Sequence, residues 1–423
     1  MKKLLLWLLL PSVAVQAQTL EECQQAAERN YPLIRQYALI EKTTDLTVAN
    51  IQKGYYPQVQ VSAQATLQSD VMSWPTEMQT MMHQMGIDLV GLKKDQYKVG
   101  IDISQNVYDG GAIKSQKAVA RQQGQVQAAQ TEVTLYQIRQ RVNEMYFALL
   151  LADEQLKLKA DHQQLLRASE QKLSSMYQRG TAAESDYFAV KAERLNVEQQ
   201  MTSLQAQRQT LARMLSTFCG MEVATPVKPV DYANLQAQTA EQRPELKMID
   251  AQLRQTDMQE QSLNTALMPR LSVFAQGYYG YPGYNLFDDM LHHQWSLGGM
   301  IGARLTWNIG ALYTRKNDKG KLALQRSSLD VQRETFLFNN QLEQLQQREA
   351  VERYRRLMAD DEEIIQLRSS VRKAAESKLA HGIIDVNDLL KEINAENVAR
   401  VQQTVHELEM LKEMCDLKFT KNN

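Results

Sequence analysis

The chain has 423 residues, 43% of them hydrophobic and 23% charged, with a formal net charge of −1. That balance carries no electrostatic footprint for nucleic acid, and a mean hydropathy of −0.46 argues against a bundle of membrane helices. The length allows two or three compact domains.

Met1-Lys2-Lys3 precedes an apolar run from Leu4 to Leu10, and Val15-Gln16-Ala17 follows as a small-x-small site. This pattern reads as a secretory signal over residues 1–17, too short to span a bilayer as a mature helix. The mature chain is expected to begin near Gln18, outside the cytoplasm. Cys23, Cys219 and Cys415 have no zinc-like spacing. Two readings stand: small residues packed on helices, or a disulfide between two of them that leaves one thiol over.

A helix is expected from about Leu20 to Lys53, broken near Pro32. A strand follows over 59–68. Val59, Val61, Ala63, Ala65 and Leu67 share one face, and Gln60, Ser62, Gln64, Thr66 and Gln68 the other. The loop Ser69 to Gln96 is rich in methionine (Met72, Met78, Met81, Met82, Met85). Its thioethers either pack the loop or handle a soft metal such as copper. A second strand over 97–108 puts Tyr97, Val99, Ile101, Ile103 and Val107 on one face, broken by Gln105. Lys98, Asp102, Ser104 and Asn106 lie on the other.

No proline occurs between Pro75 and Pro226, and an apolar seam runs through Leu135, Ile138, Val142, Met145, Leu149, Ala152 and Leu156. Spacings of three and four mark a coiled-coil stripe. The polar stretch around Gly180 reads as a turn. The seam returns through Tyr187, Val190, Val197, Met201, Leu204, Leu211, Leu215 and Phe218, with Arg194 and Arg208 interrupting it. A helical hairpin over 112–219 with its turn at 178–186 is predicted. Its first arm is about 100 Å long at 1.5 Å per residue, more than a globular core needs.

The pattern then repeats. Pro32 and Pro57 recur as Pro244 and Pro269, offset by 212 (244 less 32, 269 less 57). Gly180 and Asp186 recur as Gly382 and Asp388, offset by 202 (382 less 180, 388 less 186). The first repeat is 18–224, the linker 225–238 and the second repeat 239–423. The second repeat is expected to hold a helix from about Ala240 to Thr265, strands over 271–281 and 295–307, and a hairpin over 311–418 turning at 380–388. Phe274 and Tyr278 fall on the polar side of the third strand. His292-His293, between the last two strands, is either a solvated loop pair or part of a metal site. No phosphate loop or catalytic arrangement appears, so no enzyme, cofactor or metal centre is expected.

Alternating strands with aromatic ends suit a membrane β-barrel; a half-buried sheet on a soluble core alternates as well. Trp295, Trp307, Tyr108, Tyr279 and Tyr281 are girdle candidates. Four strands cannot close a membrane barrel, whose minimum is about eight. If they span, several chains share one barrel, and three chains give twelve strands.

At this point the sequence resembles the TolC-type outer-membrane channel proteins of efflux pumps and type I secretion systems, over the whole mature chain. The resemblance rests on the doubled architecture and on local motifs. These are Asn30-Tyr31-Pro32-Leu33-Ile34 with Arg243-Pro244-Glu245-Leu246, Tyr55-Tyr56-Pro57 with Ala266-Leu267-Met268-Pro269, Val107-Tyr108-Asp109-Gly110-Gly111, and the two Gly-x5-Asp turns. It implies a mixed α/β membrane protein, a homotrimer. Each protomer gives four strands to a 12-stranded outer-membrane barrel, continued by a periplasmic α-helical coiled-coil barrel. Both termini would lie midway along the latter. It implies a passive export conduit in the outer membrane of a Gram-negative bacterium. Its partners would be a periplasmic adaptor and an inner-membrane transporter of RND or ABC type. The turns Arg179-Gly180-Thr181 and His381-Gly382-Ile383 would form the mouth that docks the adaptor. Asp388 falls where members carry a constriction acid, with Asp186 its counterpart and Asp385 adding charge nearby. Lys391 stands where some members carry a second acid. Asp388 reads equally as a helix-start cap, and for Asp186 the cap is the favoured reading. Lys98, Asp102 and Arg304 are the lumen candidates. The competing reading is a soluble periplasmic coiled-coil adaptor.

Overall fold

The computed structural model describes residues 18–229 and 243–421. The signal-sequence reading, part of the linker and the residues before Arg243 lie outside them. Helices α1 (Leu20–Asn30) and α2 (Arg35–Gln52) flank a 3-10 turn at Pro32–Ile34. Then come β1 (Gln58–Leu67), α3 (Thr76–Gln84), β2 (Asp95–Tyr108), α4 (Ala112–Gln178) and α5 (Glu184–Cys219). The second half gives α6 (Pro244–Thr265), β3 (Arg270–Tyr281), α7 (Leu286–His292), β4 (Ser296–Thr306), α8 (Ala311–Ala380) and α9 (Val386–Lys421). The short helices α3 and α7 lie inside the loops between the strands. No described helix is long and apolar enough to cross a membrane.

The chain forms two compact units, and each draws on both sequence repeats. One takes the described residues up to Tyr37, then Ala129–Met248 and Val331 onward; the other takes Ala38–Ala128 and Ile249–Asp330.

The first unit is helical. Leu135, Ile138, Val142, Leu149 and Leu150 of α4 bury against Leu20 and Cys23 of α1, Leu215 of α5, and Leu408, Leu411 and Met414 of α9. A second cluster joins Leu166 and Leu173 of α4 to Val190 and Val197 of α5 and to Val386, Leu389 and Ile393 of α9. The arginines that break the seam are answered across the hairpin. Arg194 pairs with Glu170 at 2.6 Å, and Arg208 with Asp153 at 2.5 Å.

Three segments distant in sequence meet on the middle of α4. Tyr146 Oη donates toward the carbonyl oxygens of Gln18 and Val227, each at 2.7 Å, and Tyr136 Oη donates to Phe419 O at 2.6 Å. Arg243 caps the end of α9 through Phe419 O at 3.2 Å.

The second unit holds one antiparallel sheet in the order β1-β2-β3-β4. The register sets Val61, Ile101, Gly277 and Gly299 in one row and Ala63, Val99, Tyr279 and Leu297 in the next. The apolar residues therefore share one face, as the alternation requires. The Met-rich loop departs from its packing reading: Met72, Met78, Met81 and Met85 are exposed. Trp74 instead holds the loop, its ring 5.5 Å from that of Phe287. Tyr281 leaves the girdle set. It is buried, and its Oη accepts Lys93 N–H at 2.9 Å.

Candidate functional site

The two hairpin turns are copies of one motif at atomic level. In the first, Thr181 N–H donates to Met176 O at 2.9 Å and Gly180 N–H to Tyr177 O at 2.9 Å. In the second, Ile383 N–H donates to Lys378 O at 2.9 Å and Gly382 N–H to Leu379 O at 3.0 Å. This bonding closes a helix on a left-handed residue. Gly180 and Gly382 supply it, with φ of 73° and 71°. Arg179 folds back onto Ser175 O at 3.0 Å, and His381 Nδ1 meets Ser377 O at 2.8 Å. Ile383 stays exposed.

The turn acids divide their duties. Asp385 Oδ1 accepts Asp388 N–H at 2.9 Å, so Asp385 caps α9. The capping alternative thus falls to Asp385, and the Asp388 carboxylate is left exposed. In the first turn Ala183 holds the capping position with no side-chain bond, and Asp186 N–H turns to Ala183 O at 3.2 Å.

Arg194, which interrupts the seam, belongs to a pattern that the sequence reading missed. Arg194 bonds Glu170 at 2.6 Å and Glu198 at 2.9 Å. Adding the repeat offset of 202 turns 170, 194 and 198 into 372, 396 and 400. There Glu396 bonds Arg372 at 2.5 Å and Arg400 at 2.8 Å. The geometry is kept and every charge is reversed. Burial works against the Glu396 charge, but the Arg400 and Arg372 guanidiniums outweigh it and hold the carboxyl below its usual range. Aligning the repeats by charge as well as by proline would have revealed the set.

Beside it lies a cavity of about 280 Å³ lined by Asp161, His162, Leu165, Ile393, Glu396 and Arg400. His162 is 6% exposed, and neither ring nitrogen has a hydrogen-bond partner. Burial pushes the imidazole below its ordinary 6.5; Lys159 lowers it further and Glu193 opposes. The unfolded chain therefore takes up this proton first as pH falls. Stability from a neutral His162 is complete above about pH 6.5 and is lost below it. Each pH unit costs up to about 1.4 kcal/mol until the folded imidazole also titrates. The melting temperature should drop between about pH 7 and pH 5, and His162→Leu should flatten that stretch. An equally steep curve in the variant would refute the assignment.

On the sheet, the three lumen candidates lie on its polar face. Lys98 Nζ sits 4.1 Å above the Tyr278 ring and the Arg304 guanidinium 5.1 Å from the Phe274 ring. Asp102 Oδ1 accepts from Gln276 Nε2 at 2.5 Å. The aromatics that break the alternation of β3 are thereby explained. They lie over glycines of β4: a Cβ at Gly298 would meet the Tyr278 ring at 2.6 Å and one at Gly302 the Phe274 ring at 2.7 Å. The other face is apolar and open to the surroundings: Val61 is 71% exposed, Leu297 83% and Ile301 87%. Tyr97, Tyr279 and Trp295 cluster at one end of it, with ring centroids 6.2 and 5.3 Å from Trp295. Exposed Tyr108 and Trp307 mark the other. His292 and His293 do not converge; the first meets Asp288 and the second Gly91 O.

The profile described as Outer membrane efflux protein matches residues 23–221. No curated protein sequence matches significantly. Among solved structures, a membrane protein from Pseudomonas aeruginosa is similar at 15% identity and a TM-score of 0.67, covering 95% of this chain and 93% of its own. The outer membrane protein VceC from Vibrio cholerae is similar at 12% identity and 0.66, with 96% of each chain covered. The open-state MtrE outer membrane channel of Neisseria gonorrhoeae is similar at 13% and 0.65, covering 96% of this chain and 89% of its own.

Proposed function

Because the chain belongs to the outer membrane efflux protein family, we propose that it is the passive conduit of a tripartite efflux pump, working as a homotrimer. One observation carries the reading: an open four-stranded sheet exposes a continuous apolar face bordered by aromatics at both ends. In lipid every backbone polar group needs a partner, so the free edges of β1 and β4 must be closed by neighbouring copies. Three copies make a barrel of twelve strands, roomy enough for water. The polar face, with Lys98, Asp102 and Arg304, lines the bore, and the helical unit lies in the periplasm.

The turns at Gly180 and Gly382 form the periplasmic mouth and meet a hairpin adaptor. Asp388 rings the constriction. Carboxylates repeated about an axis repel one another and favour cations; energy for transport comes from the inner-membrane partner. An RND transporter makes the assembly a drug or solute exporter, and an ABC transporter makes it a type I secretion route. Two hairpins and an exposed apolar sheet face argue against the adaptor reading.

Planar-bilayer recording tests the gate. Asp388→Lys should change single-channel conductance and weaken cation preference, while Asp385→Asn, altering a cap, should leave selectivity near the parent. An unchanged current in Asp388→Lys removes that residue from the constriction.

A further inference from the structure

Two of the three cysteines meet. Cys23 lies on α1 and Cys219 is the last residue of α5, 196 positions away; Cys219 Sγ donates to Cys23 O at 3.4 Å. Both are buried, Cys23 at 0% exposure and Cys219 at 4%. The backbone around them is brought close by independent contacts. Asn30 Nδ2 donates to Thr217 O and Phe218 O, each at 3.1 Å, and the Tyr31 and Phe218 rings stack at 6.0 Å. Cys415 shares the apolar cluster but faces elsewhere, lining a small pocket with Leu20, Tyr136 and Lys418.

We propose that Cys23 and Cys219 are joined by a disulfide in the exported protein, fastening α1 to the end of the first hairpin, with Cys415 remaining a thiol. The proposal rests on the periplasmic placement of the helices, since exported compartments are where such bonds form and persist. In the reaction each thiol gives up its proton and the pair gives up two electrons. The acceptor is a protein disulfide oxidant of that compartment, which leaves as a dithiol. Attack proceeds through a mixed disulfide and needs access to sulfur. Buried sulfurs offer none, so the bond forms before the cluster closes. The fastening suits α1, an 11-residue helix. Helices of that length are marginal on their own in water, and this one relies on α5 for support.

The thiol count of the full chain, taken from outer membranes, tests this. Protein denatured in excess alkylating reagent without reductant should carry one label, on the Cys415 peptide, and three labels after reduction. Cys415→Ala should carry none before reduction and two after. Because the count is made on denatured chains, it reads correctly even where a variant folds poorly. Three labels before reduction, or a bridge that includes Cys415, overturns the proposal. Such a result on outer-membrane material leaves the conduit reading to the bilayer recordings, so the two fail separately.

Discussion

Lysine in place of Ile101 is expected to keep the chain out of its membrane-assembled form. Ile101 sits mid-strand in β2, opposite Val61 and Gly277, on the apolar face. A lysine on the lipid side of a barrel costs about 2–4 kcal/mol at the bilayer midplane, and the proposed trimer bears that cost three times. Asp102→Asn, one position along and on the opposite face, is the matched control. Outer-membrane fractionation and the heat-sensitive mobility of the assembled species should separate the two variants sharply. If Ile101→Lys assembles as well as the parent, the apolar face does not meet lipid and the barrel is lost with it.

The second large effect is expected at Glu396. Its side chain is 8% exposed and bonds both Arg372, 13% exposed, and Arg400. Glu396→Ala leaves Arg372 with only Glu376, one helical turn along α8. Breaking a buried pair from one side costs about 3–5 kcal/mol, whereas replacing both members by apolar residues of similar size is often neutral. The urea midpoint should therefore fall steeply for Glu396→Ala and recover in the double variant Arg372→Met with Glu396→Leu. A midpoint that is unmoved in the single variant would show the pair to be solvated.

Much of this architecture is legible from residue type alone. The seam from Leu135 to Ala152 marks the coiled coil, because an apolar period of three and four has one geometric meaning. Paired prolines and turn glycines give the duplication, and the alternation from Val59 to Leu67 gives a two-faced strand. Other features depend on distant partners that local periodicity does not carry. Phe274 and Tyr278 break the alternation of β3 because Gly302 and Gly298 on β4 leave room for their rings. Arg194 and Arg208 look like faults in the seam until Glu170 and Asp153 come round the hairpin. Asp385 and Asp388 are alike in sequence, and only the start of α9 separates the cap from the exposed acid. Met72 and Met85 were ambiguous for a plainer reason: thioethers suit a packed loop and an open one equally.

The two borders of the sheet differ, since β1 forms one and β4 the other. A ring of three such ribbons closes only head to tail, β4 of one copy against β1 of the next, so it needs every junction sound. A subunit damaged at a single border therefore strands its healthy neighbours. In a cell carrying both normal and damaged gene copies, the damaged one would be dominant.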